Sequence, residues 1–212
     1  MKSSVDRDQC HLPPTAYSND YLKIDQGGFM SQVIAKLQED HRRMTVLLEV
    51  LERETVAFSK GENLNFFMVE TILDYIVNFP QRCHHPIENF LLKSLTRRNY
   101  EAGAVAAEIL NEHEELTNII SRFAKEVEQV KLEEPILREN LVNTVREYKE
   151  LLLEHMHKEE TIFFPAAEQS LIQADWDVIE TRMRDKGDPV FGREADREYR
   201  ALHKVIVDWG GR

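Results

Sequence analysis

The sequence predicts an all-α protein, an up-down-up-down four-helix bundle with a short helical C-terminal extension. Four segments of roughly 30 residues each repeat apolar side chains at intervals of three and four, the periodicity of one helix face. Only 8 glycines and 7 prolines interrupt the 212 residues. Because the connections between the segments are short, successive helices are expected to lie antiparallel as neighbours.

The four helices are predicted over residues 31–59, 63–95, 101–130 and 135–170. Gly61 ends the first helix, and Pro135 opens the fourth. Pro86 lies inside the second helix, where it removes an amide donor, so a kink or a fresh start is expected near His85. The apolar stripe of the fourth helix consists of Leu141, Val145, Tyr148, Leu152, Ile162 and Phe163.

Three segments are expected along the chain. Residues 1–28 are polar and are predicted to form a flexible tail, residues 29–171 the bundle, and residues 172–212 a helical extension packed on it. The segment Met1–Cys10 has no apolar core, so a secretory signal is not expected. No apolar run approaches the ~20 residues that span a bilayer. A cytoplasmic protein without a membrane partner is therefore predicted.

The net charge and the cysteine content exclude some classes of function. The chain has 27 basic and 38 acidic residues, a formal net charge of −11. Such a surface repels phosphate backbones, so no nucleic-acid partner is expected. Two cysteines do not form a disulfide scaffold, and Cys83 is predicted to be a packed thiol.

Each predicted helix carries one histidine on its apolar face. A lone histidine in such a position is usually a packed core residue, but four of them, one per helix, fall at similar depths of an antiparallel bundle. A fifth, His85, adjoins the second of them. The four are His41, His84, His113 and His155.

Two glutamates extend this pattern. Glu88 follows His84 by four residues and Glu159 follows His155 by four, so each pair shares one helix face. Ionised carboxylates are costly to bury without a partner, and a metal ion supplies the missing positive charge. Four histidines and two glutamates are too many donors for one tetrahedral zinc and suit two ions bridged by the glutamates. Iron is favoured, with manganese and zinc as alternatives.

These motifs resemble the hemerythrin-like, or HHE cation-binding, domain family over roughly residues 30–170. The resemblance rests on the histidine of each helix, on the two His-x-x-x-Glu spacings, and on the Phe163-Phe164-Pro165 ending. The stretch 188–192 is similar to the tail of bacterial members. The resemblance implies a non-haem centre of two iron ions bridged by Glu88 and Glu159. The expected metal ligands are His41, His84, His85, Glu88, His113, His155 and Glu159.

Two positions depart from the oxygen-carrying members of that family. Those members have a second histidine where this chain has Thr117, which puts simple reversible oxygen carriage in doubt. His85 is the candidate replacement. Their last bridging group is an aspartate five residues after the histidine, where this chain has Glu160; Glu159 is favoured here.

Three functions stay open. The first is a metal-binding protein that binds or senses dioxygen, nitric oxide or iron. The alternative is a di-iron redox enzyme that handles peroxide or nitric oxide or assists iron–sulfur repair, and the third is a metal-free helical scaffold. Of the other residues, His157 and His203 are predicted at the surface, and Tyr148 is either a core aromatic or a neighbour of the metal site.

Overall fold

The computed structural model describes residues 28–99, 102–184 and 193–210. Within these ranges the regular structure is helical and no strand occurs, which confirms the all-α class. The α-helices are α1 (Gly28–Ser59), α2 (Phe66–Phe79), α3 (His85–Arg98), α4 (Gly103–Lys131), α5 (Arg138–Lys158), α6 (Phe164–Ser170), α7 (Gln173–Arg184) and α8 (Arg193–Gly210).

Two of the predicted long helices are composite. A π-helical turn, Pro80–His84, joins α2 to α3, and a second π turn, Glu159–Phe163, joins α5 to α6. Each turn closes on the residue just before a proline: the amide of His85 donates to the carbonyl of Pro80, and that of Phe164 to Glu159. Proline lacks an amide and crowds the carbonyl four residues back, so it favours this widened turn. The fresh start predicted near His85 is confirmed.

The second π turn changes which residues of the fourth long helix face the core. Ile162 is 50% exposed, whereas Phe163 is fully buried. A π turn takes one residue more than an α turn, so the residues that follow are shifted around the helix axis by one position. An uninterrupted periodicity of 3.6 residues per turn predicted that Ile162 faces the core, and that prediction is wrong.

The end of the first helix agrees with the prediction, but the second helix begins at Phe66 rather than near residue 63, and the start of the fourth helix is also later than predicted. Gly61 has a φ of 101° just after α1, a conformation that glycine adopts readily. Pro135 lies in the loop before α5, which begins at Arg138. The Arg138 guanidinium donates to the carbonyl of Phe58 at 2.7 Å and to that of Glu62 at 3.0 Å, which anchors the start of α5 beside the end of α1.

The buried side chains form two apolar clusters, one above the other along the helices. The larger cluster includes Met44, Phe79, Leu116 and Leu152, and the smaller one includes Leu37, Ile87, Ile109 and Phe163. The histidine of each helix stands in sequence between a member of one cluster and a member of the other. The histidines therefore form a polar layer at one level between two apolar cores.

Helices α7 and α8 contact the preceding helices. Helix α7 packs on α1, and α8 packs on α1, α2 and the first π turn, where Tyr199 and Ile206 are buried in the larger cluster. None of the helices in the described ranges has the length and apolar content needed to cross a membrane. Residues 1–27 of the predicted tail (1–28) and the family-like stretch 188–192 lie outside the described residues, and residue 28 begins α1.

Candidate metal centre

All seven predicted ligand residues meet in the polar layer between the two apolar clusters. Helices α1, α4 and α5 each contribute one histidine, α3 contributes His85 and Glu88, and the two π turns contribute His84 and Glu159. None of the seven residues is more than 7% exposed. They fall into three overlapping groups whose ligand atoms lie within 4.8 Å of one another.

The four helix histidines form two pairs. Nε2 of His41 lies 3.1 Å from Nε2 of His84, and Nε2 of His113 lies 3.1 Å from Nε2 of His155. Two nitrogen ligands held about 2.1 Å from one ion at roughly right angles are about 3 Å apart. The spacing within each pair therefore fits two ligands of a single ion.

Glu88 reaches both histidine pairs through different oxygens. Its Oε1 atom lies 2.9 Å from Nε2 of His84 and 3.7 Å from Nε2 of His41. Its Oε2 atom lies 3.5 Å from Nε2 of His113. One carboxylate thus faces both histidine pairs.

Glu159, in the π turn between α5 and α6, also contacts both histidine pairs. Its Oε2 atom lies 3.2 Å from Nε2 of His41, and its Oε1 atom lies 3.4 Å from Nε2 of His155 and 3.8 Å from Nε2 of His113. Both glutamates are 0% exposed. The cluster therefore has two histidine pairs and two carboxylates, each of which contacts both pairs.

The two carboxylates lack ordinary hydrogen-bond donors. Among the described residues none of their four oxygens accepts a well-directed hydrogen bond, and all four are buried. Burial of ionised carboxylates is costly unless positive charge compensates it. Orphaned carboxylate oxygens surrounded by imidazole nitrogens are the donor set of a mixed nitrogen and oxygen metal site, so the residues present fit metal ions.

Without a metal, protons supply part of this compensation. Burial alone lowers the pKa of His41, but the carboxylates of Glu159 and Glu88 outweigh it and raise the pKa to about 10. Burial opposes protonation of His84 too, yet Glu88 and Asp40 raise its pKa to about 9. The same charges hold the pKa of Glu88 well below its ordinary value despite burial. A cation and these protons therefore compete for one site.

His85 lies at the edge of the cluster beside His113. The two rings stack with their centroids 3.7 Å apart and their planes at 12°, and His85 groups with Glu88 and His113 as potential ligands. Burial and the neighbouring His113 hold the pKa of His85 well below its ordinary value, so its ring is neutral and free to ligate.

Thr117, where the oxygen carriers have a second histidine, is engaged elsewhere. Its hydroxyl donates to the carbonyl of His113 at 2.8 Å and accepts from the Gln81 amide at 2.9 Å. The side chain that reaches the His113 half of the cluster is thus His85 from α3. The π turn that ends at His84 allows two consecutive histidines to be buried, at 1% and 7% exposure.

Glu159 and Glu160 lie in different places relative to the cluster. Glu159 is in the cluster, whereas the side chain of Glu160 is 38% exposed and its Oε1 atom lies 2.8 Å from Nδ1 of His41. Glu160 therefore contacts the far nitrogen of a predicted ligand and not the centre itself.

Sequence reasoning missed two further carboxylates of this kind. Oδ2 of Asp40 lies 3.5 Å from Nδ1 of His84, and Oε2 of Glu112 lies 2.9 Å from Nδ1 of His155. A signal was present, because each of these acids immediately precedes the histidine of its own helix. Asp40-His41 and Glu112-His113 are the corresponding dipeptides of α1 and α4.

The remaining residues have these positions. His157 is exposed and Cys83 is buried in the larger apolar cluster, as predicted. Tyr148 is a buried member of the same cluster, and burial raises its pKa. His203 was expected at the surface but is half-buried, with its ring centroid 6.2 Å from that of Tyr75, because α8 packs on α2. His11 lies outside the described residues.

The structure defines a class of protein, a helical bundle with a mixed histidine and carboxylate cluster in its interior. The family model of the hemerythrin HHE cation binding domain matches residues 32–167. The chain therefore belongs to the hemerythrin HHE cation-binding family, as its motifs predicted. A search of curated proteins finds no match.

Proposed function

We propose that this protein holds two metal ions and uses them to bind or sense a small ligand: dioxygen, nitric oxide, or iron itself. One ion would be held by His41 and His84 and the other by His113 and His155, with the two glutamates shared. The observation that carries the proposal is that each carboxylate directs its two oxygens to different histidine pairs.

Iron is the proposed metal in both positions. Mixed imidazole and carboxylate donors suit iron better than a closed tetrahedral zinc site does. Four histidines and two shared carboxylates leave coordination positions free on two six-coordinate ions, even with His85 as a ligand. When bound, iron would supply a redox-active centre with open positions for a diatomic ligand.

The chain's own part is to bury and orient this centre. No cluster residue is more than 7% exposed, so the bundle keeps bulk water and large molecules away from it. This degree of burial favours a ligand of a few atoms over an organic substrate. Glu159, His41 and the other inward groups are held between two apolar cores, which limits their movement.

The proposal includes the spatial order of the helices. Helix α1 packs on α2 and α5, and α4 packs on α2 and α5. These contacts support an up-down-up-down bundle in which α2 with α3, and α5 with α6, each act as one long helix. In that order the π turns bring His84 and Glu159 to the same level as the histidines of α1 and α4.

The visible absorption spectrum of the anaerobically iron-loaded protein, before and after oxygen is admitted, tests the proposed function. A charge-transfer band that appears with oxygen and disappears when oxygen is removed would support reversible binding. A band that forms and persists would support redox sensing or iron handling. The exposed-site variant His157→Ala should behave as the native protein does. The absence of any band, with iron content below one ion per chain, would contradict the proposal.

A further inference from the structure

Three acidic side chains stand outside the cluster, each against the far ring nitrogen of a different proposed ligand. Glu160 contacts Nδ1 of His41 at 2.8 Å, and Glu112 contacts Nδ1 of His155 at 2.9 Å. Asp40 faces Nδ1 of His84 at 3.5 Å. In each case the Nε2 atom of the same ring points to the centre.

We infer that Glu112 and Glu160 are positioning residues that fix the ring orientation and tautomer of His155 and His41. Asp40, at 3.5 Å and without a hydrogen bond to His84, supplies only negative charge beside that ring. An ionised carboxylate only accepts hydrogen bonds, so a ring nitrogen against it must carry the proton. With Nδ1 protonated, the lone pair of Nε2 is available to a metal ion. This inference rests on the proposed function, because it assigns roles around the same two metal positions.

The three contacts also join different helices. Glu112 on α4 contacts a ring of α5, and Glu160 in the second π turn contacts a ring of α1. Asp40 on α1 lies 3.5 Å from the ring at the end of the first π turn, without a hydrogen bond to it. A histidine ring that is hydrogen-bonded to a carboxylate of another helix keeps its orientation relative to both helices. These histidine rings are therefore already oriented in the metal-free protein.

Two of the carboxylates are fixed by cations in turn. Lys158 Nζ donates to both Glu112 and Glu108. Lys36 donates to Asp40 at 2.7 Å, and Arg43 lies 3.4 Å from the same carboxylate. On each side of the cluster a cation thus contacts an acid, and the acid faces a histidine of the next long helix, through a hydrogen bond for Glu112 and at 3.5 Å without one for Asp40.

The chain offers a matched pair of variants for Glu112. Glu112→Ala removes the contact to His155, whereas Glu108→Gln removes a partner of Lys158 that does not touch a histidine. The probe is Co²⁺, whose ligand-field absorption reports its coordination and whose affinity can be measured against a chelator. We expect Glu112→Ala to weaken one of the two bound equivalents by about 10–100-fold and to alter its absorption bands. Glu112→Gln, whose amide oxygen still accepts from Nδ1, should fall between, and Glu108→Gln should match the native protein.

Glu160 supplies an independent test, because its exposed side chain can be replaced with little risk to folding. Glu160→Ala should weaken the other equivalent, the one held by His41, and Glu168→Ala on the exposed side of α6 is the control. Thermal unfolding of the metal-free variants separates this role from a purely structural one. A structural role would lower stability without changing the Co²⁺ bands.

The inference is wrong if Glu112→Ala and Glu160→Ala bind both equivalents of Co²⁺ with native affinity and spectrum, or if Glu108→Gln weakens binding as much as Glu112→Ala does. Failure of the proposed function has a different signature. In that case the native protein itself takes up fewer than two equivalents, which would overturn the proposed function and this inference together.

Discussion

The Oε2 atom of Glu88 lies 3.5 Å from Nε2 of His113, on the far side of the carboxyl group from the Oε1 atom that contacts His84 at 2.9 Å. One buried side chain of α3 thus joins the histidine of the second long helix to that of the third. Glu159 makes the corresponding connection from the fourth. Both carboxylates therefore contact both histidine pairs, which is the arrangement that the proposed two-ion centre requires.

Removal of one shared carboxylate should weaken both metal positions together. We expect Glu88→Gln to lower the affinity of both equivalents by more than about tenfold, since even partners outside the ligand set are worth about 10–100-fold. Calorimetric titration with a divalent ion measures both equivalents. The exposed Glu115→Gln on α4 is the control. One equivalent that keeps its native affinity in Glu88→Gln would show that the carboxylate serves a single ion.

His85 should act on one position only. We expect His85→Ala to weaken the equivalent held by His113 and to change the spectrum of the loaded protein, because its neutral ring stacks directly on that of His113. His157→Ala provides a matched exposed-histidine control. Unchanged stoichiometry and spectrum in His85→Ala would reduce His85 to a packing residue.

Metal affinity should keep rising with pH beyond the range of ordinary histidines. Free imidazoles stop competing with a metal above their pKa of about 6.5. In the metal-free protein the pKa of His84 is about 9 and that of His41 about 10, so protons still occupy these rings at neutral pH. An ion must displace them, and its affinity should therefore rise from about pH 7 to about pH 9 and fall on acidification. Competition against a chelator of known protonation behaviour measures this slope, and an affinity that is flat above about pH 7 would contradict it.

Because of the second π turn, two neighbouring substitutions should lower the stability by very different amounts. Phe163→Ala should destabilise the protein by about 3–5 kcal/mol because it leaves a cavity in the smaller apolar cluster. Ile162→Ala should cost less than about 1 kcal/mol because that side chain is half-exposed. Urea unfolding of both variants measures the difference. Equal losses would mean that the helix continues without the register shift.

Much of this site could be predicted from the sequence, because helical periodicity alone puts one histidine of each helix on the apolar face. The spacing of four residues between His155 and Glu159 then brings the carboxylate to the same face. The common level of the histidines follows from their depths along antiparallel helices. Periodicity could not place Ile162, because a π turn changes the number of residues per turn and leaves no mark on composition beyond the nearby proline.

The outer carboxylates were missed for a different reason. Apart from the dipeptides Asp40-His41 and Glu112-His113, these two acids look like ordinary charged residues of a helix surface, of which this acidic chain has many. Their role depends on which neighbouring helix they face, and that is a property of packing between helices rather than of spacing along one. The half-buried position of His203 likewise follows from the docking of α8 on α2, which no local pattern indicated.

The most direct test of the two-ion centre is anomalous X-ray diffraction from crystals of the protein loaded with iron. We expect two anomalous peaks, one beside Nε2 of His41 and His84 and one beside Nε2 of His113 and His155, with Glu88 and Glu159 contacting both. A single peak shared by all four histidines, or metal bound only at the protein surface, would contradict it.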